Sequence, residues 1–119
     1  MLPNRMQLSR ETEEQLKKLK VYTGITPNVA ARLAFFRSVE SKFRYSPEMD
    51  SKKLDGSLVL DKITWLGETL QTTELVLKML YPQIEQKMLI KVWAAHVEDG
   101  IAALRNYKSI KHIVLALKN

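Results

Sequence analysis

Cysteine is absent from the 119 residues. With it go disulfides, thiol nucleophiles, sulfur carriage through a persulfide and any cysteine-ligated zinc or iron–sulfur cluster. Histidine is nearly absent as well. His96 and His112 are the only two, and without a third convincing ligand they make no metal site. His96 and Asp99 are spaced i,i+3, and this pair reads as an ordinary helix-end histidine with a neighbouring acid. No apolar run approaches the roughly 20 residues of a membrane span, and no charged-then-apolar signal pattern opens the chain. The expectation is a cytoplasmic protein with no membrane partner. The phosphate-cradling GxGxxG and GxxxxGK loops, the GxSxG nucleophile turn and the HExxH zinc motif are all missing. Catalysis would fall to scattered Asp, Glu and Lys, none of which forms a distinct pair, so a non-enzyme without cofactor or metal is expected.

What is present is positive charge, unevenly placed. The net charge is +6, from 19 Lys and Arg against 13 Asp and Glu. Residues Met1 to Lys53 carry eleven basic and six acidic side chains, and Leu54 to Asn119 carry eight and seven. The first half, at +5 against +1, is therefore the surface on which a polyanion would settle.

The order of elements follows from periodicity and punctuation. Residues 4–8 alternate, with Met6 and Leu8 on one face and Arg5 and Gln7 on the other, as in a half-buried strand. Ser9 is placed to cap a helix whose first turn carries Glu11 and Glu13, and Gly24 suits its left-handed end. Thr26 and Pro27 then start a second helix with an apolar face built from Val29, Ala30, Leu33, Ala34, Phe36 and Phe43. Residues 45–57 read as a loop, and 58–64 as either a strand or the entry to a helix. Leu66, Leu70, Thr73, Leu77 and Leu80 mark the next helix, which Pro82 ends. Ile84, Met88, Val92 and Ala95 mark another, interrupted near Asp99 and Gly100. Ile110, Ile113, Val114 and Leu117 suggest a last one. The fold class is mainly α: a strand–helix–helix head over 1–45, with its strand at 4–8 and helices near 9–23 and 27–44, and a helical body over 46–119 packed with it. Trp65, Trp93 and the Phe35–Phe36 pair are assigned to the core or a subunit interface and not to base stacking.

A five-residue strand leaves a row of unpaired backbone groups and requires a partner. With no clear second strand in the chain, the expected partner is another copy. Two copies would form an antiparallel ribbon presenting Arg5 and Gln7 outward, a shape that fits the major groove. The Arg5-Met6-Gln7-Leu8 alternation, the Ser9 cap and Gly24-Ile25-Thr26 resemble the ribbon–helix–helix family of DNA-binding proteins. In that family the start of the second helix anchors phosphate, which implies a role for Thr26 and Asn28. Over its whole length the chain is similar to the DNA sulphur-modification family DndE, the small accessory members of DNA phosphorothioation systems. "LPNRMQLSRETEEQLKKLK", "TGITPNVAARLAFFRSVE" and "HVEDGI" carry that resemblance. It implies a non-catalytic partner in a machine that replaces a non-bridging phosphate oxygen with sulfur, the chemistry resting on other proteins.

The candidate DNA contacts are Lys17, Lys18 and Lys20 on the first helix, Arg5 and Gln7 on the strand, Thr26 and Asn28 at the second helix start, and Lys52 and Lys53 in the loop. The lysines could instead serve solvated i,i+4 pairs, Glu13 with Lys17 and Glu14 with Lys18. The partners expected are double-stranded DNA, with a preference for nicked duplex as a further step, other phosphorothioation proteins, and copies of the same chain as a dimer at least or a tetramer. Two other readings stand beside this one: a sequence-specific ribbon–helix–helix regulator, and an adaptor that binds protein only.

Overall fold

The computed structural model describes residues 1–49 and 52–105. The chain runs β1 (Arg5–Met6), α1 (Arg10–Thr23), α2 (Pro27–Glu40), β2 (Leu60–Asp61), α3 (Lys62–Leu66), α4 (Leu70–Leu80) and α5 (Leu89–Leu104), with single 3-10 turns leading into α4 and α5. The architecture is mainly helical with one two-stranded antiparallel sheet. No described helix is long and apolar enough to cross a membrane.

Both helices of the first third are delimited by the residues suited to that task. Ser9 is extended, and its hydroxyl accepts the Thr12 N–H at 3.1 Å. Gly24 ends α1 at φ 78°, donating its N–H to Lys20 O at 2.7 Å. Pro27 occupies the first turn of α2, where a missing N–H costs nothing. Leu16 and Leu19 are buried on the inner face of α1. α2 stops at Glu40, four residues short of the expected end, and Phe43 lies in the segment beyond it.

The short strand has its partner within the chain, which corrects the expectation of a second copy. β1 pairs with β2 in antiparallel register, Arg5 opposite Asp61 and Met6 opposite Leu60. The segment 58–64 is both of the things its sequence allowed, a two-residue strand followed at once by a helix. The bonds around the pair extend the junction: Lys62 N–H donates to Asn4 O at 2.7 Å, and Gly56 N–H to Leu8 O at 2.8 Å. Met6 and Leu8 point into the core as their alternation indicated, and the indole N–H of Trp65 donates to Met6 O at 2.8 Å. The strand finds a partner in its own chain, so the need for one is no argument for a dimer.

The core is centred on α2 and α5, which share the largest helix interface of the fold. Ala30, Ala31 and Ala34 make a small-residue surface on α2, and Gly100 lies against it so closely that a Cβ there would stand 1.8 Å from the Ala34 carbonyl oxygen. Gly100 is therefore a contact residue within α5, which continues through it to Leu104; the interruption expected at Asp99 and Gly100 does not occur. Trp65 and Trp93 meet edge to face at 5.6 Å and are fully buried, as is Phe35. Pro82 follows the end of α4 at Leu80, as expected. The helix expected at 110–117 lies outside the described residues, as does His112.

Candidate nucleic-acid interface

Lys17 and Lys18 of α1 project away from the buried Leu19, and Lys20 flanks the buried Leu16, from which it is about 40° round the helix. At 100° per residue, Lys17 and Lys20 lie about 60° apart and Lys18 about 100° from Lys17 on the other side, so the three span an arc of about 160° that begins beside Leu16. All three are exposed. Lys17 forms the expected i,i+4 pair with Glu13 at 3.2 Å. The other expected pair, Glu14 with Lys18, is not formed; neither Lys18 nor Lys20 is in an ion pair among the described residues.

The loop after α2 returns to the first turn of α1. Lys52 bridges Glu11 of α1 at 3.0 Å and Glu98 of α5 at 3.5 Å. Its hydrogen bond to Glu11 holds the ammonium above its ordinary pKa against the opposing effect of burial. Lys53 is exposed and in no ion pair among the described residues. Asp55 accepts the Arg10 N–H at 2.9 Å, which lowers its carboxyl pKa and supplies α1 with a second cap. Lys52 and Lys53 are thus tied to the first turn of α1, a turn or more before Lys17.

The remaining candidates are placed differently. Arg5 is exposed, bonded to Asp61 at 3.2 Å across the sheet and to Val59 O at 3.3 Å. Gln7 is half-buried, and its amide donates to Gly56 O at 2.9 Å. Thr26 is exposed and makes no side-chain cap. Asn28 turns its amide toward Thr64 O at 3.1 Å, a carbonyl that also accepts Arg32 Nη2 at 3.0 Å. Arg32 Nε reaches Trp65 O at 2.8 Å as well, so Asn28 and Arg32 together close the end of α3. The loop lysines sit at the first turn of α1 and Lys17 lies one turn on, joined to Glu13, while Lys18 and Lys20 follow towards the last turn; Asn28 belongs to a separate cluster around α3.

Two polar features escaped the pattern in the sequence. The first is Glu13, whose side chain is 4% exposed. Burial pushes its pKa up, but the Leu58 N–H at 2.5 Å, the Ser57 hydroxyl at 3.0 Å and Lys17 at 3.2 Å outweigh it, and the net shift is downward. The second is a chain of hydrogen bonds through His96, which sits in the middle of α5 and not at a helix end. Tyr45 N–H donates to the Tyr81 hydroxyl at 2.8 Å, and that hydroxyl lies 2.7 Å from His96 Nε2. His96 Nδ1 lies 2.8 Å from Ser38 Oγ, which donates to Asp99 Oδ2 at 2.8 Å. An ionised Asp99 can only accept, so Ser38 spends its proton there and must accept from Nδ1–H. Nε2 is then an acceptor, and Tyr81 donates to it. Burial, with a further push from Arg44 and a smaller counter-effect from Asp99, lowers the His96 pKa to about 4. Only pairing by separate segments, invisible to local spacing, brings these four side chains together.

This order of atoms is not that of a nucleophilic triad. Ser38 stands between the imidazole and the carboxylate instead of beyond the imidazole, and both Ser38 and His96 are buried. Among the described residues, no three His, Asp or Glu side chains are grouped to hold a metal ion.

Comparison with known proteins supports a single family. The family described as DNA sulphur modification protein DndE matches residues 5–112. The crystal structure of DndE from Escherichia coli B7A, involved in DNA phosphorothioation modification, is 88% identical, with 87% of this chain and 98% of that one covered and a TM-score of 0.85. A glycine-to-lysine mutant of DndE, involved in DNA phosphorothioation, is 86% identical, with 87% and 99% covered and a TM-score of 0.82. No curated protein matches the sequence. The chain belongs to the DndE family of DNA sulphur modification proteins.

Proposed function

We propose that the protein serves DNA phosphorothioation as a non-catalytic DNA-binding component that grips the phosphate backbone through α1 and the loop after α2. The observation that carries this reading is a run of exposed lysines along α1, from Lys52 and Lys53 held at its first turn through Lys17 and Lys18 to Lys20 in its last turn, with Lys18, Lys20 and Lys53 in no ion pair among the described residues. Each lysine that neutralises a phosphate releases counterion, so such a surface binds without regard to sequence and weakens steeply with salt. Arg5 adds a further charge; Gln7 holds the loop, and Thr26 and Asn28 stand at the start of α2 as secondary backbone contacts. The chemistry of sulfur insertion is assigned to other modification proteins. This agrees with a chain that has no cysteine and whose Ser38 and His96 are sealed in the core.

Because the modification acts on the backbone, a nicked duplex is the preferred ligand in this reading. Competition between intact and singly nicked duplexes of the same sequence at matched salt tests it. Tighter binding of the nicked form is expected; equal binding removes the preference while leaving DNA binding in place.

A second reading rests on an apolar surface. Leu75 and Met79, one turn apart on α4, and Ile63 on α3 are all exposed. They suit association with further copies, as a dimer or tetramer, or with another modification protein, in the manner of an adaptor. Sedimentation of the protein before and after Leu75→Ser and Met79→Ser substitution decides between self-association and a heterologous partner.

A further inference from the structure

The carboxylate of Glu13 lies beneath the proposed basic surface and is bonded on three sides, which is unusual for an acid in the first turn of an exposed helix. Dipole stabilisation or a surface ion pair with Lys17 would need neither its burial nor its two bonds to the returning loop. Leu58 N–H and Ser57 Oγ–H both donate to it, from 45 and 44 residues along the chain. Gly56, immediately before them, is pressed so close that a Cβ would lie 2.7 Å from Leu8 O and 2.9 Å from Glu13 Oε1. Gln7 and Leu8 bind the backbone of the same glycine, and Arg10 N–H binds Asp55. At its other end the loop is held by Lys52 on Glu11 and Glu98. Lys53 is carried between these two clamps.

We infer that Glu13 is a positioning residue for DNA binding: it fastens the loop of Lys52 and Lys53 against α1, so that loop and helix lysines form one phosphate-contacting surface. The inference rests on the DNA-binding reading above and adds to it a residue of the wrong charge to be found by counting lysines. Charge alone gives the opposite expectation, since removing a carboxylate beside a basic surface should strengthen DNA binding.

The test is a salt series of binding to a short random-sequence duplex with the full chain as wild type, Glu13→Gln and Ser57→Ala, each checked for helix content by circular dichroism. Glu13→Gln keeps the side-chain shape, but its amide nitrogen faces donors. Its affinity is expected to fall about three- to tenfold at fixed salt, with a log–log salt slope shallower by about one phosphate. Ser57→Ala keeps the carboxylate and its charge while removing one tether, and is expected to lose a smaller part of the affinity. If Glu13→Gln is folded and binds as tightly as wild type or more tightly, the positioning role is overturned. If Glu13→Gln does not fold, Ser57→Ala decides: reduced affinity sustains the role and unchanged affinity overturns it. A wild type that shows no salt-dependent binding overturns the DNA-binding reading itself, and the positioning role with it.

Discussion

The hydroxyl of Tyr81 stands 2.7 Å from Nε2 of His96 and donates to it, which fixes the imidazole as neutral at the centre of a buried relay. The phenol is suited to remain a donor, because burial raises its pKa against the smaller opposing effects of the Tyr45 N–H and Arg44. Phe35, Phe43 and Tyr81 surround the imidazole edge to face at 5.0 to 5.8 Å. These contacts join the ends of α2 and α4 to the middle of α5.

Acid should therefore loosen the fold at a defined point. His96 has a folded pKa of about 4 against an ordinary value of 6.5, so the unfolded chain takes up the proton first and stability is lost as pH falls from 6.5 towards 4. Urea unfolding at pH 5 is expected to show about 2 kcal/mol less stability than at pH 7 from this group. Glu13, whose pKa is lowered from 4.5, adds its loss as pH falls below about 4.5, at the acid end of that window and beyond it. A His96→Gln variant should be less stable at pH 7 but much flatter between pH 7 and pH 5; an unchanged pH dependence would assign the loss to other groups.

Tyr81→Phe removes a donor and an acceptor from the relay at once. It leaves His96 Nε2 and the Tyr45 N–H without their partner, and each orphaned buried group costs about 1 to 3 kcal/mol. A fall in the urea midpoint with unchanged slope is expected, and a variant as stable as wild type would show that the relay contributes nothing net.

Gly100 provides a test in which two effects have opposite signs. Helix propensity alone favours Gly100→Ala by about 1 kcal/mol. The contact with Ala34 forbids it, because the new Cβ would fall 1.8 Å from a backbone oxygen that cannot rotate away. A loss of about 3 kcal/mol is expected from the forced separation of α2 and α5, read from thermal or urea unfolding. Stabilisation would mean that the helices do not meet there.

Arg5 and Gln7 are engaged within the chain, to Asp61 and to Gly56. Replacing both with Ala is expected to leave the relative affinity for duplexes of different sequence unchanged. A sequence-reading ribbon would instead lose about 1 to 3 kcal/mol of discrimination per good base contact, measurable by competition between duplexes.

Local chemistry made the first third of the fold legible. Ser9, Gly24, Thr26 and Pro27 set the boundaries of α1 and α2 through their own backbone preferences, and Met6 and Leu8 showed their inward face by alternation. The partner of β1 was not legible, because two residues some 55 positions away carry too little pattern to announce a strand. Gly100 misled for a related reason: its role is set by Ala34 on another helix, not by its neighbours in sequence. At the candidate interface the lysines were legible from charge, but Glu13 was not. Its partners Ser57 and Leu58 become adjacent only when the loop returns to α1.

The most direct measurement is the salt dependence of binding to a random-sequence duplex for wild type and for a Lys18→Ala, Lys20→Ala double variant, the α1 lysines in no ion pair among the described residues. The expected result is a steep log–log slope for wild type that becomes shallower by nearly two in the variant, about 0.9 for each phosphate that is no longer neutralised. A slope unchanged by the substitution, or no binding at low salt, would contradict a DNA-contacting role for this face of α1.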